Sequence, residues 1–239
     1  MTRLIEGVGA VCVVAAAFAA SLFDGDTKTG YLKVKGEWCY ISPEAGEDAP
    51  PQNLQADSET FIVLTPDEYA KDRDSVFYLG RKINGADPTT FGILDDTNFS
   101  RDAEHVYVMG RRIFGADPTS FQPISGMYGR DALSVYCGTV PMDVENINDF
   151  EVVMASDRIF SSDVREDLDS YFGDSFDRVE VSQDHPILTT HDWSRDGVSY
   201  YYGPGKVMDA DYETFTPVSE FGARDAIGTF DGPFRKEVQ

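Results

Sequence analysis

Apolar residues in this chain come in short bursts, and the bursts recur. "SVFYLGRKING" at 75–85 and "HVYVMGRRIFG" at 105–115 are β-rich runs broken by one glycine, the pattern of a tight hairpin. "FGIL", "FQPI" and "FEVV", at 91–94, 121–124 and 150–153, are shorter apolar runs that suit a third strand. A polar phrase separates them: Ala-Asp-x-x-(Thr/Ser)-Phe at 56–61, 86–91, 116–121 and 210–215. Asp87 suits an N-cap, Pro88 the first helical position, and Thr89 and Thr90 complete a turn that drops Phe91 into the core. Asp117, Pro118 and Phe121 repeat the arrangement. Turn chemistry accounts for each residue of the phrase, so it reads as a joint rather than a ligand site.

A second phrase travels with the first. An aromatic, one residue, a basic residue and Asp stand at 69–72, 99–102, 128–131 and 193–196, with a one-residue-longer version at 221–225. Five residues beyond each Asp comes another aromatic: Phe77, Tyr107, Tyr136, Tyr201 and Phe230. Single Asp residues at a regular interval do not converge as a calcium site requires. Asp72, Asp102, Asp131, Asp196 and Asp225 therefore read as Asx-turns before a strand, with the basic neighbour in solvent. The expected fold is mostly β: tandem units of about thirty residues and three strands each. An open array is expected, with a closed propeller-like ring as the alternative.

One stretch breaks the rhythm. Residues 154–192 match the repeat poorly, and "SSDVREDLDSYF" within them predicts a short amphipathic helix near 163–172. Ser162 or Asp163 is its N-cap candidate, and Val164, Leu168, Tyr171 and Phe172 share one face. The chain thus divides into an N-terminal segment 1–23, repeats at 24–153, an insertion or degenerate unit at 154–192, and repeats at 193–239.

The quoted runs resemble the DKNYY family of bacterial repeat proteins. The likeness rests on "KDRDSVFYLGRKINGADPTTF" and "RDAEHVYVMGRRIFGADPTSF", and more loosely on "RDGVSYYYGPGKVMDADYETF". It covers roughly 66–153 and 193–232 and leaves 154–192 unaccounted for. The resemblance implies an exported or lipid-anchored envelope protein and carries no catalytic residue to this chain.

Residues 7–23 contain no charge and follow Arg3, which predicts a signal peptide or an N-inside membrane anchor. The rest of the chain is then expected on the periplasmic side of the inner membrane. Cys39 and Cys137 fall in different repeats, and pairing between them is the less favoured expectation. With 42 acidic against 20 basic residues, the net charge of -22 argues against nucleic acid and for a basic partner.

Catalytic signals are absent. No nucleophile elbow, zinc-binding helix motif or phosphate loop occurs, and no cofactor or metal is expected. His191, Asp192 and Ser194 are neighbours in sequence, which is not how a triad is built. Two faces remain as partner-binding candidates: Tyr200 and Tyr202 on one strand, and Val164, Leu168, Tyr171 and Phe172 on the helix. For the tyrosines, a strand packed on both sides is the competing reading. The expected function is a non-enzymatic envelope protein that binds another protein, with neutralisation of a secreted toxin as one form. An envelope glycan hydrolase with unidentified carboxylates, or a purely structural component, are the alternatives.

Overall fold

A computed structural model describes residues 29–46, 49–94, 97–172, 179, 181–183 and 185–237. The anchor or signal expected at 7–23 lies outside them. Among the described residues, no helix is long and apolar enough to cross a membrane.

The chain forms a succession of small antiparallel sheets and no closed barrel. The first has three strands: Gly30–Val34, Glu37–Ile41 and Gln52–Asn53. The second unit is a meander of four: Ile62–Val63, Tyr69–Lys71, Val76–Tyr78 and Arg81–Lys82. The third repeats it with Gly92–Ile93, Phe99–Arg101, Val106–Val108 and Arg111–Ile113. Units four and six follow suit at 122–142 and 216–235. Each repeat therefore holds four strands, not three. The extra strand is the aromatic-x-basic phrase itself, too short for its alternation to stand out.

Two observations explain why this sequence makes meanders. The hairpin loops place residues where the backbone must turn left-handed: Leu79 and Gly80, and Met109 and Gly110, all have positive φ. That is the type I′ geometry whose twist matches the flanking strands. Gly110 is also pressed against the neighbouring unit, since a methyl there would meet the Tyr78 side chain at 2.6 Å.

The units are joined by aromatic rings. Phe91 sits between Tyr69 of the second unit and Tyr107 of the third, at 5.8 and 6.0 Å between ring centroids. Phe121 bridges Phe99 to Tyr136, and Phe150 bridges Tyr128 to Tyr201. Phe61 and Phe215 do the same at the two ends. Tilted rings at these separations are favourable beyond the area they bury. Opposite each motif aromatic, on the adjoining strand, stands a small residue: Ala70, Ser100, Gly129, Ser194 or Ala223. At Gly129 the reason is direct, because a methyl would lie 2.2 Å from the Phe121 ring.

The irregular segment is an insertion within a unit. Glu151–Met154 and Trp193–Arg195 are adjacent strands of the fifth sheet, completed by Tyr200–Tyr202 and Gly205–Lys206. Between them the chain leaves as a hairpin, Ile159–Ser162 with Ile187–Thr190, whose connection carries the helix α1, Arg165–Phe172. Ser162 stabilises the start of α1: its Oγ accepts from the Val164 amide and donates to the Asp167 carboxylate. Cys39 and Cys137 are buried and unpaired. Cys137 lies 2.9 Å from Thr189 Oγ1, and burial pushes its thiol up to about 12.

Candidate functional site

The repeated carboxylates are the first candidates, and the structure shows what occupies them. Asp102 Oδ1 accepts from the amides of Glu104 and His105 at 2.8 and 2.7 Å, the expected Asx-turn. Its Oδ2 accepts from the Asp87 amide at 3.0 Å and the Tyr107 hydroxyl at 2.8 Å. Asp87 in turn caps its own turn, accepting from the Thr89 amide and the Thr90 hydroxyl, while Thr90 Oγ1 accepts from the Ala103 amide. The two phrases are therefore halves of one latch. The same bonds recur at Asp117, Ser120, Asp131 and Tyr136. Ser can replace Thr there because only the bridging hydroxyl is used.

Burial pushes the Asp102 carboxyl up, and its amide and phenol donors more than reverse this, leaving it below the ordinary value. Asp196 has the same balance, with Tyr201 the strongest donor. At Asp225, where the fifth aromatic is Phe230 and offers no hydroxyl, Arg235 supplies a two-pronged contact and holds the carboxyl far below its usual range. Among the described residues, no group of His, Cys, Asp and Glu is arranged to hold a metal.

In three of the five copies the basic residue of the second phrase is not in solvent, contrary to expectation, whereas Arg224 is exposed. Lys71 Nζ donates to the Pro88 carbonyl at 2.8 Å, Arg101 to that of Pro118, and Arg130 to that of Ile147. Each cation ties its unit to the carbonyl end of the next turn, where the local dipole favours positive charge.

The tyrosine run is buried on both sides. Tyr200 packs on Tyr212 and Phe215, Tyr201 bonds Asp196, and Tyr202 lies against Trp193 and Phe172. Tyr200 and Tyr202 are 6% and 2% exposed, so they present no face to a partner. The helix residues divide. Leu168 and Phe172 are buried in the core cluster with Trp193, whereas Val164, just before α1, and Tyr171 remain about half exposed. The assumption of one common face fails because the cluster admits only the i, i+4 pair.

His191 sits in an aromatic cage of Phe160, Tyr171, Phe172, Tyr202 and Phe221, with ring centroids 5.5 to 6.3 Å away. Neither ring nitrogen has a hydrogen-bond partner, and burial lowers its affinity for a proton. Asp192 Oδ1 is taken by the Ser156 amide and the Thr190 hydroxyl, and Ser194 Oγ is buried without a partner. These three neighbours make no triad. The cage does leave a rim: Tyr171 and Phe221 are 50% and 39% exposed, and Ile159, the strand residue before Phe160, is 50% exposed. Arg158 lies over Phe221 at 5.1 Å and pairs with Glu220.

Geometry thus defines a repeat protein of tandem four-stranded β units, latched by carboxylates and interrupted by one hairpin-and-helix insertion. A family model, the DKNYY family, matches residues 17–110 and again 99–231, and the chain belongs to that family. No curated protein and no solved structure matches it.

Proposed function

We propose that this chain is a non-enzymatic protein of the bacterial envelope, exported or tethered through residues 7–23, whose insertion binds another protein. One contrast supports the reading. The repeated polar groups are spent on holding units together, whereas the insertion leaves Ile159, Val164 and Tyr171 half exposed and sets Arg158 over the exposed Phe221. Aromatic residues and arginine in a partly apolar patch are the composition of protein interfaces. An immunity-type neutralising partner of a secreted toxin is one form of such binding, and the net charge of -22 favours a basic partner.

The test is recovery of partners from membranes with the full chain in mild detergent, comparing wild type with Tyr171→Ala and Ile159→Ser. Both side chains are half exposed, so the melting temperature should hold while recovery falls roughly tenfold, as loss of an interface anchor implies. Equal recovery by all three proteins would remove the insertion from the interface.

A further inference from the structure

Acidic residues outnumber basic ones by 42 to 20, yet among the described residues one groove of about 1250 Å³ is lined by Arg81, Lys82, Arg111 and Arg112 and by no carboxylate. None of these four cations forms an ion pair among the described residues. Lys82 lies over the Phe77 ring and Arg112 over Phe114. Arg111 is half-buried, fixed by Ser161 Oγ at 2.7 Å and the Ile187 carbonyl at 3.1 Å. Burial, and then the charge of Arg81, disfavour its protonated form. A partly buried guanidinium beside a second cation, without a counter-ion, carries a desolvation cost that an anion would offset.

The backbone around these cations is also open. Arg81–Lys82 and Arg111–Ile113 are the end strands of their sheets. Arg81 pairs with Tyr78 across the first hairpin and Arg111 with Val108 across the second. Alternation then turns the polar groups of Lys82 and Arg112 outward, where they make no backbone hydrogen bond among the described residues. The lining also has apolar members, Met109, Pro186 and Leu188, among neutral polar ones such as Gln52 and Gln183. We propose that this groove docks an extended acidic peptide segment, its carboxylates on the four cations and its backbone along one of the two strand edges. Strand addition of this kind takes affinity from main-chain bonds and specificity from alternate side chains. Nucleic acid fits less well, because the molecule's overall charge repels a long polyanion. The groove's lining shares no residue with the insertion's exposed Ile159, Val164 and Tyr171, so either can fail alone.

Fluorescence anisotropy of the full chain with a labelled Glu-Val repeat peptide of about ten residues, long enough to run past the two- and three-residue strand edges on either side, tests the proposal. Binding should weaken at least tenfold in Arg81→Glu and in Arg112→Glu. Both side chains are exposed, so their melting temperatures should match wild type, and Arg224→Glu, an exposed cation outside the groove, should bind normally. A peptide methylated on alternate backbone nitrogens should also lose affinity. Absence of binding by wild type, equal binding by the groove variants, or a preference for alginate or oligo-dT over the peptide would each overturn it.

Discussion

Asp102 joins four donors from three segments through one carboxylate, and that economy explains the repeated phrases. Asp102→Ala should cost about 3 kcal/mol or more, because several buried donors lose their acceptor at once. Tyr107→Phe should cost only about 1 kcal/mol, since the ring and the Phe91 contact stay. Urea midpoints at unchanged m-value would separate the two, and equal costs would count against the latch. Acid reads the same device. Asp87, Asp102, Asp117, Asp196 and Asp225 are held below the ordinary carboxylate value, so their folded pKa lies below the unfolded one. Their contribution is full above about pH 4 and is lost as pH falls through the folded values. Asp192, raised by burial, works the other way, but it stands alone. The melting temperature should therefore drop between about pH 5 and pH 2, and a flat profile would contradict the assignment. The caps and Asx-turns were legible from residue type, spacing and turn chemistry. The cation's acceptor was not, because a carbonyl seventeen to twenty residues away leaves no mark in the sequence.

At the scale of elements, hairpins were legible and the aromatic-x-basic strand was missed, although its buried small residue was the available signal. Nor did the sequence show that 154–192 opens from the middle of a unit, since the adjacency of Met154 and Trp193 is created only by pairing. What seats the insertion is equally non-local. In the second unit the Gly80 amide donates to the Tyr31 hydroxyl. In the fourth, the ring in the corresponding place is Phe99, which has no hydroxyl, and the Thr139 amide donates instead to the Leu188 carbonyl at 2.7 Å. Thr139 Oγ1 accepts the Leu188 amide in return at 2.9 Å. Thr139→Val removes that acceptor and keeps the shape. It should cost about 1–3 kcal/mol and speed hydrogen exchange at the Leu188 amide, with the third sheet unaffected. Unchanged exchange at Leu188 would mean that the Thr139 hydroxyl does not help to seat the insertion.

For the whole molecule, the rings and latches connect each unit to its neighbours, so stability is built as a chain of adjacent interfaces. A repeat of thirty residues announced that architecture, whereas the cationic groove arises only where the first three units and the insertion meet. Charge acts over the same distances as this assembly. A net -22 spread along a row of small sheets sets like charges against one another in the folded state. The opposing ion pairs, such as Arg195 with Glu151 and Lys206 with Glu145, are substantially exposed. Pairs of that kind contribute about 0–1 kcal/mol each. Repulsion should therefore win at low salt. Raising NaCl from ~0.01 to ~0.15 M shortens the screening length from about 30 to about 8 Å, and the melting temperature should rise. The buried latch carboxylates are screened far less, so most of the gain should saturate by that concentration. A melting temperature that falls over the same range would show that the surface pairs, and not the excess of acid, dominate the long-range electrostatics of this fold.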